Sequence, residues 1–312
     1  MGGPSPHAML VVLCRRSWLP PEGQDAGSAN PEDYAVCLVG AKERWGFPGG
    51  PVEPADTALA RRSVADGSDA LPVASQITAI RRTFECAGMC IGIAPPPGFA
   101  REHVREVLHR KGSSSFADFI NDFHGFGRLR PRSLGDAFFS VTVPGVAEVP
   151  GHEVDVFLAQ VPDAEEILFS SFGSDFQLLW WASPSEALRW HESREIDLPL
   201  PEWVVLRELR DRLPAIAGFS DPARGRAPES RHNCCGLSQA ETPSQPGQAC
   251  VWLALPGDEE HADQAGAQGC RRRVLVDAGS GYRVVGFEEA HVGPLRGGGA
   301  YSARGASISS RL

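Results

Sequence analysis

The chain has 312 residues, of which 42% are apolar, and a formal net charge of −9. That length holds one large domain or two, and the apolar share supports a real core. The acidic balance leaves no nucleic-acid footprint, no apolar run reaches the length of a membrane-spanning helix, and no charged-then-apolar leader precedes a small-residue cleavage site.

Residues 8–13 are a short apolar run and predict the first strand. Residues 17–33 are rich in Pro, Gly and Asn and read as a loop. Residues 34–39 predict a second strand, which leads into Trp45-Gly46-Phe47-Pro48-Gly49-Gly50. Residues 61–74 are mixed and read as irregular. In 76–88, Ile77, Ile80, Phe84 and Ala87 fall at helical spacing, with Gly88 as the stop. Residues 89–93 continue as strand until Pro95-Pro96-Pro97 breaks it. Helical segments are expected at 101–110 and 115–123, and strands at 138–143 and 154–161. The latter strand should be buried on both faces. An acidic loop, 162–175, holds Asp163, Glu165, Glu166 and Asp175. Trp180 begins a strand that turns into a helix at Ser183-Pro184, and 199–212 predict a further helix. After residue 217, Ser, Pro, Gly, Arg and Gln dominate, so 218–248 read as a flexible linker. Runs at 250–255, 273–277 and 282–287 predict a small β-meander within 249–290. From 291 the chain reads as a disordered tail.

The eight cysteines show no Cys-x-x-Cys pair, so a zinc site is not expected and reduced thiols are the default. Cys86 and Cys90 would share a helix face only if the helix ran past Gly88.

Gly49 and Gly50 allow a sharp turn and close approach of a ligand. Pro48 stiffens the entry to it. The later run Ala79-Ile80-Arg81-Arg82-Thr83-Phe84-Glu85-Cys86-Ala87-Gly88 completes a pattern with that turn. Together they resemble a Nudix box, whose form is Gly, five residues, Glu, seven residues, then Arg-Glu-x-x-Glu-Glu-x-Gly. In that alignment the Gly is Gly50 and the first acidic position is Asp56. Twenty-four residues stand where seven are usual. The first helix glutamate is replaced by Arg82, the second is kept as Glu85, and the third is replaced by Cys86. Residues 60–66 sit nearer the usual spacing but offer one carboxylate at best, and read as a solvated helical turn inside the insertion.

Carboxylates at i, i+3 and i+4 share a helix face and can converge on a hard cation such as Mg²⁺. That cation neutralises a diphosphate and activates water. A guanidinium about 6 Å from such a dication costs several kcal/mol even at an effective dielectric of roughly 20. A thiol is a soft, neutral ligand. Arg82 instead suits direct contact with phosphate.

The resemblance implies a Nudix α/β fold, a mixed sheet between helices over 8–217, with an insertion at 57–75 and a small β-containing or disordered C-terminal extension. It also implies Mg²⁺ or Mn²⁺ as cofactor. Glu85 would bind the metal, with Asp56 a weaker ligand. Arg81 would orient the loop, and Gly49, Gly50 and Arg82 would meet the diphosphate. Glu165 or Glu166 could stand in for the lost carboxylates. Lys42 and Arg44 add basic charge near the box.

The insertion, with Ala55-Asp56 after the glycine turn, resembles the peroxisomal coenzyme A diphosphatases of that family. The chain ends Ser310-Arg311-Leu312, a variant of the Ser-Lys-Leu peroxisomal address. The expected activity is therefore metal-dependent hydrolysis of coenzyme A or acyl-coenzyme A, in peroxisomes, with the peroxisomal import receptor as partner. Two alternatives stand beside it. One is a catalytically silent binder of nucleotide or coenzyme A. The other is a hydrolase of another nucleoside diphosphate derivative.

Overall fold

The computed structural model describes residues 5–15, 34–41, 44–64, 69–87, 89, 91–92, 116, 120, 129, 131–143, 151–161, 178–216, 230–233, 235–236, 250–254, 270–277 and 283–291. The elements in chain order are β1 (Ser5–Arg15), β2 (Tyr34–Ala41), β3 (Arg44–Gly46), β4 (Gly49–Pro51), α1 (Pro54–Ser63), α2 (Leu71–Ala87), β5 (Phe139–Val143), β6 (His152–Val161), β7 (Leu178–Ala182), α3 (Pro184–Glu192), α4 (Leu200–Ile216), β8 (Ser230–Asn233), β9 (Cys235–Gly236), β10 (Cys250–Ala254), β11 (Cys270–Asp277) and β12 (Arg283–His291).

β1 is apolar on both faces because both faces are covered. Ala8, Leu10 and Val12 pack with Ile77, Ile80 and Phe84 of α2. Met9, Val11 and Leu13 enter a second cluster with Trp203, Leu206 and Leu209 of α4. Each such side chain contributes roughly 1.5–3 kcal/mol on burial. Along its length β1 runs parallel to β6, from Ser5↔His152 to Cys14↔Val161. Its other edge is shared in antiparallel pairing. β2 takes the Leu13–Arg15 end, and β4 takes the His7–Met9 end. The eight-stranded sheet has the path β3-β2-β1-β6-β5-β8, with β7 beside β2.

Two local expectations change. The stretch 61–74, read as irregular, is helical at both ends: α1 runs to Ser63 and α2 starts at Leu71. Pro54 opens α1, and the Asp56 carboxylate accepts from the backbone N–H of Glu53 at 3.1 Å, which fixes the first turn. The expected strand at 89–93 is not formed by its described residues. Ile91 and Gly92 lie in a turn, with Gly92 at φ 68°, a value glycine adopts without strain. α2 ends at Ala87. Gly88 and Cys90 lie outside the described residues, as do the loops 17–33 and 162–175, the segment 101–110 and the tail from 292. Of 115–123, Phe116 and Ile120 are described, both helical.

β10, β11 and β12 form an antiparallel meander, and β9 extends it beside β10. Leu253, Val274, Val276 and Val284 of this sheet share the core cluster of α4. The Arg207 guanidinium lies 3.8 Å from the Phe287 ring centroid and 5.0 Å from that of Trp203. Arg283 bridges to Asp197 at 2.9 Å. Within the span read as a linker, β8 pairs parallel with β5.

Leu253 is fully buried. Leu253→Ala is therefore expected to lower the stability of the whole chain by roughly 2–5 kcal/mol, in a single denaturant transition followed by tryptophan fluorescence. An extension that folds by itself would give a separate transition and leave the main one unmoved.

Candidate functional site

The site is made where the glycine turn meets the C-terminal half of α2. β4 lies so close to β1 that a Cβ on Gly49 would come within 2.7 Å of the Met9 Cβ and 2.9 Å of the Ala8 carbonyl oxygen. Only glycine fits there. The Leu10 N–H donates to the Pro48 carbonyl at 3.0 Å and holds the turn against the sheet.

Arg81 is the hub. Its side chain is 1% exposed and that of Asp56 is 0% exposed. The pair is bidentate, Nε to Oδ1 at 2.8 Å and Nη2 to Oδ2 at 2.9 Å, the fork geometry that suits guanidinium and carboxylate. Nη1 donates to both oxygens of Glu85 at 3.0 and 3.2 Å, and Nη2 lies 3.1 Å from Glu53 Oε1. Burial by itself would lower the arginine's pKa, but Asp56, Glu85 and Glu53 outweigh it and hold the group above its ordinary value. The Thr78 hydroxyl donates to Asp56 Oδ2 at 2.8 Å.

Asp56, expected as a weaker metal ligand, is found here as the buried partner of Arg81. Both of its oxygens are taken by Arg81, and Oδ2 also accepts from Thr78 and the Glu53 N–H. It anchors α1 to α2, with its charge answered by Arg81. Sequence reasoning missed Glu53 and Thr78 as members of this network. The Glu53-Pro54-Ala55-Asp56 run was the available signal, since an acid, then Pro, then an acid three residues on marks a helix start.

Arg82 lies on the glycine side. Its Nε donates to the Gly49 carbonyl at 3.1 Å and its Nη1 to Glu85 Oε2 at 3.0 Å. A Cβ on Gly50 would stand 3.1 Å from the same Nε, so the missing side chain makes room for this guanidinium. Cys86 is buried at 6% exposure. Its thiol is pushed up by burial, with Arg82 lowering it and Glu85 raising it, so it stays neutral. Of the expected site residues, Gly49, Gly50, Arg81, Arg82, Glu85 and Asp56 come together here. Arg44 is exposed on β3. Lys42, Glu165, Glu166 and Ser310-Arg311-Leu312 lie outside the described residues.

These groups do not fit a divalent metal. A hard cation needs several oxygens free of competing charge. Glu85 is shared by two guanidiniums, Asp56 is consumed, and position 86 is a buried thiol. Among the described residues no group of three or more His, Cys, Asp or Glu is arranged to hold a metal. A dication about 4 Å from the Arg82 guanidinium would meet a repulsion of about 8 kcal/mol at an effective dielectric near 20.

A second carboxylate approaches the turn from the opposite face. A Cβ on Gly46 would lie 2.7 Å from Glu202 Oε1. Burial pushes the Glu202 carboxyl from its ordinary 4.5 up to about 7, with a backbone hydrogen bond and Arg44 opposing.

No protein-family model matches the chain, and no curated protein does. Solved structures do match. A NUDIX hydrolase from Alicyclobacillus acidocaldarius is 19% identical, with 72% of this chain and 100% of that chain covered and a TM-score of 0.51. The protein has the Nudix fold. At that identity the likeness speaks for the fold alone. Two further matches, at a TM-score of 0.33, are too distant to argue from. One is the NUDIX domain of Shewanella oneidensis NrtR complexed with ADP ribose, 10% identical over 68% of this chain and 90% of that one. The other is a C. elegans Ap4A hydrolase binary complex, 16% identical over 69% and 99%.

Arg81→Met leaves Asp56 buried without its cation and is expected to cost about 3–5 kcal/mol in urea unfolding. The raised Glu202 carboxyl gives a pH signature of known sign. The folded state holds its proton more tightly, so stability is lost as pH rises from 4.5 through 7, by at most about 3 kcal/mol. Glu202→Gln should flatten that slope and raise the midpoint at pH 8.

Proposed function

We propose that the site recognises the diphosphate of a nucleotide, with coenzyme A or an acyl-coenzyme A as the ligand class, and that the chain descends from Nudix pyrophosphohydrolases. The observation that carries this reading is the meeting of Gly49, Gly50, Arg82 and Glu85 at one partly open spot, with Arg81 locked behind them. Arg82 is 32% exposed at its side chain and has five N–H donors, of which two are engaged by the described residues. The others can meet phosphate oxygens, the geometry a guanidinium suits. The preference for coenzyme A rests on the long insertion after the glycine turn and on Ser310-Arg311-Leu312. Import into peroxisomes through the receptor for that address belongs to the same proposal. A fusion carrying the last three residues should be punctate with a peroxisomal marker, and diffuse once they are removed.

Binding, rather than rapid cleavage, is the function this geometry supports best. Phosphoanhydride hydrolysis needs its developing charge stabilised and its water activated, and among the described residues of the box helix the carboxylate at hand, Glu85, is already paired with two arginines and supplies neither well. The rival is a hydrolase. It is favoured by the survival of Glu85 and Arg81 in contact, at 3.0 Å.

Purified protein should bind coenzyme A in calorimetry yet release 3′,5′-adenosine diphosphate no faster than a Glu85→Gln variant, with Mn²⁺ present. Turnover well above that control would make the protein a hydrolase. Absence of binding to coenzyme A, acyl-coenzyme A and nucleoside diphosphates alike would remove the reading altogether.

A further inference from the structure

We propose that Arg82 is the resident cation of this site: its guanidinium stands between the Gly49 carbonyl and Glu85, and the protein takes up its diphosphate ligand without a metal. The inference rests on the functional reading above and extends it from what is bound to how the charge is met.

Three independent observations converge. The first is contact. Nε and Nη1 of one guanidinium reach a backbone carbonyl oxygen and a carboxylate oxygen at 3.1 and 3.0 Å. Those are the two kinds of oxygen that hold hard cations. The second is space. Gly50 leaves room for Arg82 that even a methyl group would crowd, at 3.1 Å from Nε.

The third is charge. Putting arginine where the box pattern has glutamate shifts the local charge by two units, which is what a bound dication adds to a glutamate. Cys86, buried and neutral, removes one more negative charge. Asp56 is spent on Arg81, and Glu85 is divided between Arg81 and Arg82. Glu53 is held at 3.1 Å by Arg81. The carboxylates that would otherwise demand a metal are already answered by side chains. The outward donors of Arg82 are then left to face an anion.

Two measurements test this. Binding of Mn²⁺ alone is followed by electron paramagnetic resonance. Binding of inorganic pyrophosphate and of coenzyme A is followed by calorimetry in metal-free buffer and again with Mn²⁺. The wild-type protein is expected to hold no site-bound Mn²⁺ and to bind both probes metal-free, with affinity changed less than threefold by Mn²⁺. Arg82→Gln should weaken metal-free binding at least tenfold. Arg82→Glu should acquire Mn²⁺ binding that the wild type lacks and bind pyrophosphate only with the metal. Circular dichroism checks that each variant folds, and Arg82→Lys, which keeps the charge but loses the fork, serves if the glutamine variant does not. It should fall between the wild type and the metal-dependent behaviour.

Wild-type protein that binds the probes only with Mn²⁺ overturns this inference and leaves the functional reading standing. So does metal-free binding unchanged in Arg82→Gln. Failure of both probes, and of acyl-coenzyme A and nucleoside diphosphates, to bind under every condition overturns both.

Discussion

A guanidinium with 1% of its side chain exposed would be costly in a protein interior if it were not held by charge. Arg81 is held by three carboxylates, from the entry to α1 (Glu53), its first turn (Asp56) and one turn farther along α2 (Glu85). That interaction sets the spacing of the two helices. It also orients Glu85 toward the glycine turn. Arg82, next in the chain, is carried round to the turn itself because Arg81 faces inward. The candidate site is in this sense the outer surface of a buried ion pair.

The same constraint explains why a long insertion does not dissolve the arrangement. Loop length changes closure entropy only slowly. What matters is that α1 and α2 meet, and the bidentate bond between Asp56 and Arg81 joins residues 25 apart in sequence. Thr78, one turn before Arg81, adds a neutral hydrogen bond to the same carboxylate. Residues within the insertion continue α1 beyond Asp56 and begin α2 ahead of Arg81.

Much of the fold was readable in advance. The apolar run at β1, the glycine turn, the helical spacing of Ile77, Ile80 and Phe84, and the strand–helix junction at Ser183-Pro184 all report local patterns that tertiary packing reinforces. The capping box at Ser183 is an example, with its hydroxyl accepting from Glu186 N–H at 3.2 Å. The helical character of residues 54–63 and 71–75 was less visible. Their polar and small residues have weak periodicity, and what stabilises them is contact across α1 and α2. The site divides in the same way. Gly49, Gly50, Arg81, Arg82 and Glu85 stood out because a pattern names them. Asp56 looked like a ligand, because a sequence shows a carboxylate but not which donors will occupy it. Glu202 carried no signal at all, since its approach to Gly46 depends on how α4 crosses the sheet.

The parallel pairing of β1 with β6 has a consequence for how the molecule is made. Ser5 finds its partner at His152, about 150 residues later. On a ribosome adding roughly 5–20 residues per second, the first strand emerges and waits on the order of ten seconds for its neighbour. During that interval the strand has one edge unclaimed, together with the face that the later helix α4 covers. Exposed apolar surface and an unpaired strand edge are what makes a nascent chain prone to aggregate, and the rate of translation between β1 and β6 sets how long that exposure lasts.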